Sequence, residues 1–361
     1  MNHVVIAGGC GFVGSNLAIS IIENIKDVRV SVFDSLFRRG SENNINRLRE
    51  AGIAFIYGDA RNSFDVQKLV DFDVMIDCAA DPSVVSGSDG RFMPLVENNL
   101  ATTLNLAQQC VSERASMIFL STNRVYPYDI LNGLEVCQSD TRWEFNYRLA
   151  DIPGVSSNGV AENFPTSGFK TFYGATKLCS EEFLRELTGT SSFKVIVNRC
   201  GVVCGPWQMG KIDQGVMALW VAAHLKNQKL SYFGFDGMGK QSRDFLHVYD
   251  LSRLVLQQVS ELLPENVVNT PPYRLFNVGG GIRNVASLHE LTLLCREASG
   301  HSPEIVSRSD ISRKGDLVAY ATDNTAVSKE YNWRPRLSVR DAVNDTTEWM
   351  RAHPEILKEF F

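Results

Sequence analysis

The amino-terminal strand and turn restrict the fold more than any other part of this sequence. A short apolar run, residues 4–7, leads directly into three glycines at intervals of three, Gly8, Gly11 and Gly14. Such a turn lets backbone N–H groups approach a pyrophosphate, and the N-terminus of the following helix adds its positive dipole end. Because any tight turn favours glycine, the pattern alone is weak evidence. The glycine pattern predicts a nucleotide-binding unit only if the neighbouring segments of the chain also fit such a unit.

The end of the second predicted strand provides that context. Residues 28–33 are predicted to form this strand, and Asp34 follows them about 20 residues beyond the glycine turn. At that position a carboxylate accepts hydrogen bonds from the ribose hydroxyls of an adenosine. A loop residue or a helix cap is the alternative interpretation of Asp34. Its position at a strand end favours the ribose.

Short apolar strands and helical segments then alternate along the chain. Strands are predicted at residues 54–57, 74–77, 117–120 and 194–197, and helices at 63–70, 94–112 and 172–187. This alternation is typical of a parallel sheet, which binds ligands beyond the carboxyl ends of its strands. We predict an α/β fold: a Rossmann-type doubly wound parallel sheet with a smaller, discontinuous C-terminal substrate lobe. The nucleotide-binding domain is expected over residues 1–198, with returns to the sheet near 241–280, and residues 199–361 mainly form the lobe.

Tyr173 and Lys177 stand four residues apart and therefore share one face of a predicted helix. A phenol titrates near pH ~10 and is a poor base at neutral pH. A neighbouring ammonium favours the phenolate and lowers that pKa, which makes the tyrosine a usable acid or base. The alternative is a helix surface with an unrelated tyrosine and lysine, and the spacing alone does not separate the two.

Composition excludes several classes of function. A net charge of −5 and a pI near 5.8 argue against nucleic acid as a partner. No apolar run approaches the ~18 residues of a transmembrane helix, and the first residues do not resemble a leader peptide, so we expect a cytoplasmic protein without membrane contact. The eight cysteines and six histidines are irregularly spaced, which predicts reduced thiols and no metal site.

The second half of the chain is less regular. Residues 127–168 are polar and contain several Pro and Gly positions, and a loop of this length predicts a function such as an active-site cover. Residues 215–225 are predicted to form a core helix. Residues 285–299 and 339–350 are predicted to form helices of the lobe.

Taken together, these motifs resemble the extended short-chain dehydrogenase/reductases, and among them the NAD-dependent nucleotide-sugar epimerase/dehydratase family. The matching segments are residues 7–14, 58–61, 121–126, 173–177, 205–206 and 243–250. Residues 33–40, 121–126, 213–215, 239–244 and 276–280 most resemble the CDP-paratose 2-epimerase (tyvelose epimerase) members. The resemblance covers nearly the whole chain.

The resemblance implies a role for each matching residue. Tyr173 would be the general base and acid, Lys177 its electrostatic partner, and Thr122 would hydrogen-bond the reacting hydroxyl. NAD would be bound by Gly8, Gly11, Phe12, Val13, Gly14, Asp34, Asp59, Ala60, Ala79, Ala80 and Asn99, together with Tyr173 and Lys177. The substrate would be bound by Asn123, Gln208 and Arg243, with Arg243 on its diphosphate.

Three positions differ from the family pattern. Val202 stands where an asparagine often holds substrate phosphate, and Val318 stands where a second phosphate-binding arginine is expected, just after residues 313–316. Pro127 replaces the glycine that usually follows Tyr126. The first two differences remove expected contacts to a nucleoside diphosphate.

The predicted function is an NAD-dependent nucleotide-sugar epimerase that inverts C2 of a CDP-deoxyhexose through a transient keto-sugar. A 4-epimerase, a sugar dehydrogenase or reductase, and a non-catalytic NAD-binding regulatory protein are the alternatives. The resemblance also implies a homodimer formed by the helix at 94–112 and the helix that carries Tyr173. Dehydration is not expected, because Asn123 and Arg124 follow Thr122 where the dehydratases of the family have Asp-Glu. An acid from elsewhere in the chain, such as Glu162 or Asp213, is the alternative.

Overall fold

The computed structural model of the protein describes residues 1–146, 152–210, 214–311 and 315–360. The strands are β1 (Asn2–Ala7), β2 (Val28–Asp34), β3 (Ala54–Tyr57), β4 (Val74–Asp77), β5 (Ser116–Thr122), β6 (Val136–Gln138), β7 (Trp143–Phe145), β8 (Val155–Ser156), β9 (Gly159–Val160), β10 (Val195–Cys200), β11 (Val202–Cys204), β12 (Leu230–Phe233), β13 (Ser242–His247), β14 (Tyr273–Val278), β15 (Val285–Ser287) and β16 (Ile305–Arg308).

Helices connect these strands. They are α1 (Phe12–Asn24), α2 (Asn44–Glu50), α3 (Ser63–Val66), α4 (Met93–Leu95), α5 (Thr102–Glu113), α6 (Tyr128–Asn132), α7 (Phe172–Thr190), α8 (Val216–Leu225), α9 (Val248–Leu262), α10 (Leu288–Ser299), α11 (Thr325–Tyr331), α12 (Val339–Ala352) and α13 (Pro354–Leu357). A π-helical turn, Val96–Ala101, joins α4 to α5, so the helix predicted at residues 94–112 is present but locally widened.

The main sheet has seven strands in the order β3-β2-β1-β4-β5-β10-β14. Every neighbouring pair in it is parallel, and the order reverses next to β1, as in doubly wound nucleotide-binding sheets. The predicted Rossmann-type α/β fold is therefore confirmed. Because both faces are covered by helices, β4 and β10 are buried along their whole length, as is expected of a central parallel strand.

Two apolar layers hold the helices on the sheet. On one face α1 and α9 contribute Leu17, Ile21 and Leu254. On the other face α5 and α7 contribute Leu106 and Leu184. The carboxyl ends of the strands consequently stay free of helix packing and are open to a ligand.

The smaller lobe has its own core. The segment predicted as a core helix is α8, whose Met217 and Trp220 are buried against Leu291 of α10 and Val343 of α12. The lobe is discontinuous, because the chain leaves it to form α9 and β14 of the main sheet before returning in β15 and α10. The domain boundary at residue 198 stays a prediction.

Two predicted helices differ from the structure. Residues 285–287 form the strand β15, which pairs with β13, and only α10 of the predicted segment 285–299 is helical. Ser287 and Glu290 form a reciprocal capping box that fixes this boundary. The segment predicted as a helix at 63–70 ends at Val66 and continues as turns, with Leu69 N–H donating to Val66 O at 3.0 Å.

The described residues between 127 and 168 form short ordered elements rather than one long loop. The β6–β7 hairpin is fixed to the lobe, since Ser242 Oγ donates to Trp143 O at 2.5 Å and Trp143 N–H donates to Lys240 O at 2.9 Å. The β8–β9 hairpin is fixed to β14 by Asn277 Nδ2, which donates to Val160 O at 2.9 Å. Within the described residues, no helix is both long and apolar enough to cross a membrane.

Candidate active site

A cavity of about 910 Å³ lies at the carboxyl ends of the main-sheet strands and extends under the lobe. All but one of the residues predicted to bind cofactor or substrate, or to act in catalysis, line this cavity. The exception is Asn99. The fold thus gathers residues from six strand ends and from the lobe around one space.

The glycine turn between β1 and α1 forms one end of the cavity. Gly8 has a φ of +70°, and a Cβ placed there would lie 2.8 Å from Ala79 N, so a side chain would not fit. Gly11 is the N-cap of α1 and has no capping side chain, which leaves N–H groups of the first helical turn without intrahelical partners. Backbone donors and the helix dipole therefore form an anion-binding surface.

Asp34 connects this turn to the end of β2. Its Oδ2 accepts from Cys10 N–H at 2.9 Å and its Oδ1 accepts from Leu36 N–H at 2.8 Å. Burial raises the pKa of Asp34, and the backbone donors oppose that shift. The carboxylate is thus held at the cavity wall with lone pairs left to accept further hydrogen bonds.

The outer end of the cavity is formed by the turn after β3. Asp59 Oδ2 and Arg61 Nη2 are 2.6 Å apart, and the hydrogen bond from Arg61 lowers the pKa of Asp59. The Arg61 guanidinium also stacks 5.3 Å from the centroid of the exposed Phe37 ring. Together with Ala60, these side chains form a partly apolar rim.

Tyr173, Thr122 and Lys177 meet at the centre of the cavity. Thr122 ends β5, and Tyr173 lies in the first turn of α7, which is capped by Thr171. The Tyr173 and Thr122 side chains line the same cavity and interact with each other. Lys177 Nζ lies one turn further along, 4.4 Å from the centroid of the Phe119 ring, and is only 1% exposed.

Burial is the largest influence on the pKa values of Tyr173 and Lys177. It raises the pKa of Tyr173 to about 12, while the interaction with Thr122 and the positive charge of Arg124 act in the opposite direction. Burial also lowers the pKa of Lys177, and the nearby Asp77 carboxylate opposes that shift. The sequence predicted a lowered pKa for Tyr173. In the structure the cost of burying a phenolate is larger than the stabilisation by the surrounding cations.

Asn99 is fully buried behind the cavity wall. Its Oδ1 accepts from Asp81 N–H at 2.8 Å, and its Nδ2 donates to Thr176 Oγ1 at 3.2 Å. Asn98 and Thr102 line the cavity in its place. The π-helical turn explains the difference, because its wider turn changes which side chains face the cavity.

Most of the chain matches a known protein family. The model of the "NAD dependent epimerase/dehydratase family" matches residues 4–279, which include the glycine turn, Thr122, Tyr173 and Lys177.

The chain belongs to this family.

Similarity to individual members extends over nearly the full length. The chain is 28% identical to a CDP-paratose 2-epimerase from Salmonella typhi, over 96% of this chain and 98% of the relative. It is 26% identical to a UDP-glucose 4-epimerase from Erwinia amylovora, over 98% of both chains. A UDP-glucuronic acid 4-epimerase from Bacillus cereus, solved with UDP-glucuronic acid and NAD, has the same fold at a TM-score of 0.77 and 23% identity, covering 97% of this chain and 99% of that one.

The family's cofactor is NAD, as the sequence predicted, and the cavity fits it. The glycine turn leaves room for a pyrophosphate where a Cβ would collide with the backbone. The Asp34 carboxylate lies at the end of β2, where a dinucleotide places its ribose, and the rim at Asp59 and Ala60 lies beyond it. In the described part of the chain, His, Cys, Asp and Glu side chains form no group of three that could hold a metal ion.

The part of the cavity under the lobe is lined by residues that were predicted to bind substrate. Arg243 of β13 lines the cavity, and its Nη2 is 2.6 Å from Asp316 Oδ1. Burial lowers the pKa of Arg243 to about 10. Gln208 Nε2 donates to Val203 O at 3.0 Å, while its Oε1 is buried without a partner among the described residues. Asn123 also lines the cavity.

Among the charged residues that line the cavity are several to which the sequence assigned no site role. Arg124, Asp81 and Asp316 all line the cavity. Asp81 Oδ1 accepts from Ser83 N–H at 3.1 Å and from Gln214 Nε2 at 3.2 Å. The only local signal for Arg124 and Asp81 was their position directly after strand-end motifs that had been recognised.

Other residues that were considered for the site do not line the cavity or lie outside the described residues. Glu162 does not line the cavity, since its Oε1 accepts from Asn277 N–H at 2.6 Å behind β14. No described residue of the segment 127–168 lines the cavity, so the predicted active-site cover is wrong for that part, because both hairpins are fixed elsewhere. Asp213 and Arg313 lie outside the described residues.

Proposed function

We propose that this member of the family is an NAD-dependent nucleotide-sugar epimerase that inverts C2 of a CDP-deoxyhexose through a transient keto-sugar. The observation that carries the proposal is the placement of Tyr173, Thr122 and the buried Lys177 around one cavity. The similarity to the CDP-paratose 2-epimerase over nearly the full length of both chains supports the choice of carbon and nucleotide.

In this proposal Tyr173 removes the proton from the sugar hydroxyl, and Thr122 orients that hydroxyl by hydrogen bonding. Bound NAD supplies the acceptor for the hydrogen and electron pair that leave the same carbon. Lys177 provides a fixed positive charge that favours the phenolate, and its low exposure of 1% keeps it from solvent. When the keto-sugar presents its other face, the hydrogen and its electron pair return to the carbon from that side, Tyr173 returns the proton to the oxygen, and the configuration is inverted.

The residues after Thr122 support epimerisation rather than dehydration. Elimination of water next to the ketone needs its own acid and base, and Asn123 and Arg124 cannot serve as a carboxylic acid. The two carboxylates nearest the sugar end have other partners. Asp316 is paired with Arg243 at 2.6 Å, and Asp81 accepts from Ser83 N–H and Gln214.

A 4-epimerase of the same family is the second candidate. The UDP-glucose 4-epimerase relative is similar over the same length at nearly the same identity, and the proton-transfer residues would be common to both reactions. A non-catalytic NAD-binding protein has no need for a buried Tyr173–Thr122 pair, and that pair argues against it.

Product analysis distinguishes these functions. The purified protein is incubated with CDP-, UDP- and dTDP-linked hexoses, and the sugar products are identified by NMR, with a Tyr173→Phe variant as the control. We expect inversion at C2 of a CDP-linked sugar. Inversion at C4 would favour the second candidate, and net production of NADH would favour a dehydrogenase. A folded protein that turns over none of these sugars would contradict the proposal.

We also propose that the enzyme is a homodimer formed through α5 and α7. Phe92, directly before α4, and Phe172, the first residue of α7, stack at 5.2 Å between ring centroids. Met93 and Phe183 are each 53% exposed on the same side of the sheet, and exposed apolar patches mark protein interfaces. Phe183→Glu should produce a monomer in light scattering, whereas Leu293→Glu, which changes a 45% exposed leucine of α10, should not. A monomeric wild type at micromolar concentration would contradict the dimer.

A further inference from the structure

Arg124 is a cation that the proposed chemistry does not yet use. It lies in a single 3₁₀ turn, Asn123–Val125, directly after the catalytic Thr122, whose Oγ1 accepts from Arg124 N–H at 3.2 Å. A Cβ at Gly174 would collide with the Arg124 carbonyl oxygen, so the two backbones are in direct contact. The position of Arg124 is therefore fixed relative to Thr122 on one side and to the residue after Tyr173 on the other.

The Arg124 side chain reaches the segment that carries Asp316. Its Nη1 donates to Gly315 O at 3.2 Å, and its charge interacts with the Asp316 carboxylate. Arg243 approaches the same carboxylate from β13, with Nη2 at 2.6 Å from Asp316 Oδ1 and 2.6 Å from Leu317 O. Arg243 is therefore paired with Asp316, and the charge of Arg124 acts on the same carboxylate.

Arg124 and Arg243 line the same cavity as two positive charges that act on each other. Burial lowers the pKa of both arginines and the charge of Arg124 lowers the pKa of Arg243 further, whereas the Asp316 and Asp244 carboxylates raise the pKa of Arg243. Two like charges held close together repel each other, and an anion bound between them offsets that repulsion. Guanidinium groups hold phosphate oxygens in a bidentate manner, so the chemical class that fits is a phosphate or diphosphate.

We propose that Arg124 and Arg243 together bind the diphosphate of the substrate, and that Arg124 thereby selects the carbon that reacts. This proposal rests on the proposed function in taking a nucleotide sugar as the substrate. The diphosphate is attached at C1, the neighbour of C2, whereas C4 lies across the ring. An arginine fixed beside Tyr173 and bound to that diphosphate brings C2 to the tyrosine and keeps C4 away from it.

The same assignment accounts for the two valines at expected phosphate contacts. Val202 lines the cavity but has no polar side chain. Val318 N–H donates to Asn132 Oδ1 at 2.9 Å away from the cavity. Arg124 supplies the second cation that Val318 does not.

Titration calorimetry with nucleoside diphosphates tests the diphosphate contact. Wild type is first titrated with CDP, UDP and dTDP to find the nucleoside diphosphate that binds most tightly. That ligand and its nucleoside are then titrated into the variants Arg124→Met and Arg124→Lys. Arg340→Met, which changes an exposed arginine of α12, is the control. Losing hydrogen bonds to a charged group should weaken diphosphate binding to Arg124→Met by about 10- to 150-fold. Arg124→Lys should lie between it and wild type. Binding of the nucleoside and of NAD should be unchanged, and retained NAD also shows that each variant is folded.

The outcomes separate the two proposals. If a nucleoside diphosphate binds wild type and Arg124→Met equally well, the role of Arg124 is wrong while the proposed function stands. If no nucleoside diphosphate binds wild type, both are contradicted. If Arg124→Met does not fold, Arg124→Lys decides: undiminished diphosphate affinity relative to wild type would contradict the bidentate contact.

Discussion

Glu181 and Arg199 form a fully buried ion pair, with Glu181 Oε2 2.6 Å from Arg199 Nη2. Glu181 lies one helical turn beyond Lys177 on the same face of α7, and its Oε1 accepts from Ser121 Oγ at 2.5 Å. Because Ser121 precedes Thr122, the pair fixes the helix that carries Tyr173 to the strand that carries Thr122. The mutual placement of the two proton-transfer residues therefore depends on a buried charge pair behind them.

Removing one partner of this pair should destabilise the protein strongly. We expect Glu181→Leu to lower the free energy of unfolding by about 3–5 kcal/mol, because it leaves a buried guanidinium without a counterion. The double variant Glu181→Leu/Arg199→Met should recover part of that loss. Urea denaturation measures the stability of both variants. Glu182→Leu is the control, since Glu182 is exposed and is paired with Arg185 on the helix surface. Equal stability of the Glu181 and Glu182 variants would contradict this account.

Buried phenols should make the protein sensitive to alkaline pH. Burial raises the pKa of Tyr126 and of Tyr173 to about 12, whereas an unfolded chain loses these protons near pH ~10. The stabilisation is therefore complete below pH ~10 and falls by about 1.4 kcal/mol per pH unit and per phenol up to pH ~12. Between pH 9 and 11, the free energy of unfolding should decline less steeply with pH for Tyr126→Phe than for wild type. For Tyr57→Phe, which changes an exposed tyrosine, it should decline as in wild type. Identical slopes in all three proteins would show that Tyr126 is not responsible.

Tyr173→Phe should separate catalysis from folding. The variant removes only the hydroxyl, so we expect it to fold, to keep NAD and to lose nearly all turnover. Steady-state assays with the substrate found by product analysis provide the measurement, and bound NAD provides the control. Activity within about tenfold of wild type, equivalent to ~1.4 kcal/mol of transition-state stabilisation, would remove Tyr173 from the catalytic role.

Asp34 should make the enzyme prefer NAD over NADP. Its carboxylate, fixed by Cys10 N–H and Leu36 N–H, would accept from ribose hydroxyls and repel a 2′-phosphate. Arg38, the residue best placed to offset this repulsion, donates to Met209 O at 3.1 Å. Calorimetry on cofactor-free protein should give at least ~10-fold tighter binding of NAD, and Asp34→Asn should reduce the ratio. Equal affinity of wild type for both cofactors would defeat this prediction.

The fold and the part of the site formed by the strand ends follow from local sequence patterns. The glycine turn, Asp34 and Thr122 each stand at the end of a recognisable strand, and a parallel sheet brings such ends together without further information. The strand β15 was missed because its three residues are defined by pairing with β13 about forty residues earlier. A short segment of this kind has no periodicity that separates it from the helix that follows.

The charged residues at the substrate end depend on contacts between distant parts of the chain. Arg124 meets Gly315 across 191 residues, and Asp81 meets Gln214 across 133. No spacing rule connects such positions, because the lobe that brings them together folds from separate segments. The raised pKa of Tyr173 was missed for a related reason, since the depth of its burial is a tertiary property.

Isotope analysis in deuterated water tests the central claim, inversion through a transient keto-sugar, most directly. The purified enzyme converts its nucleotide-sugar substrate in D₂O, and NMR and mass spectrometry determine the isotope at the inverted carbon. We predict that this carbon keeps its hydrogen, because that hydrogen leaves and returns inside the cavity without exchanging with water. Near-complete deuterium incorporation at that carbon, or a product lighter than the substrate by one water, would contradict the account and indicate proton abstraction or dehydration.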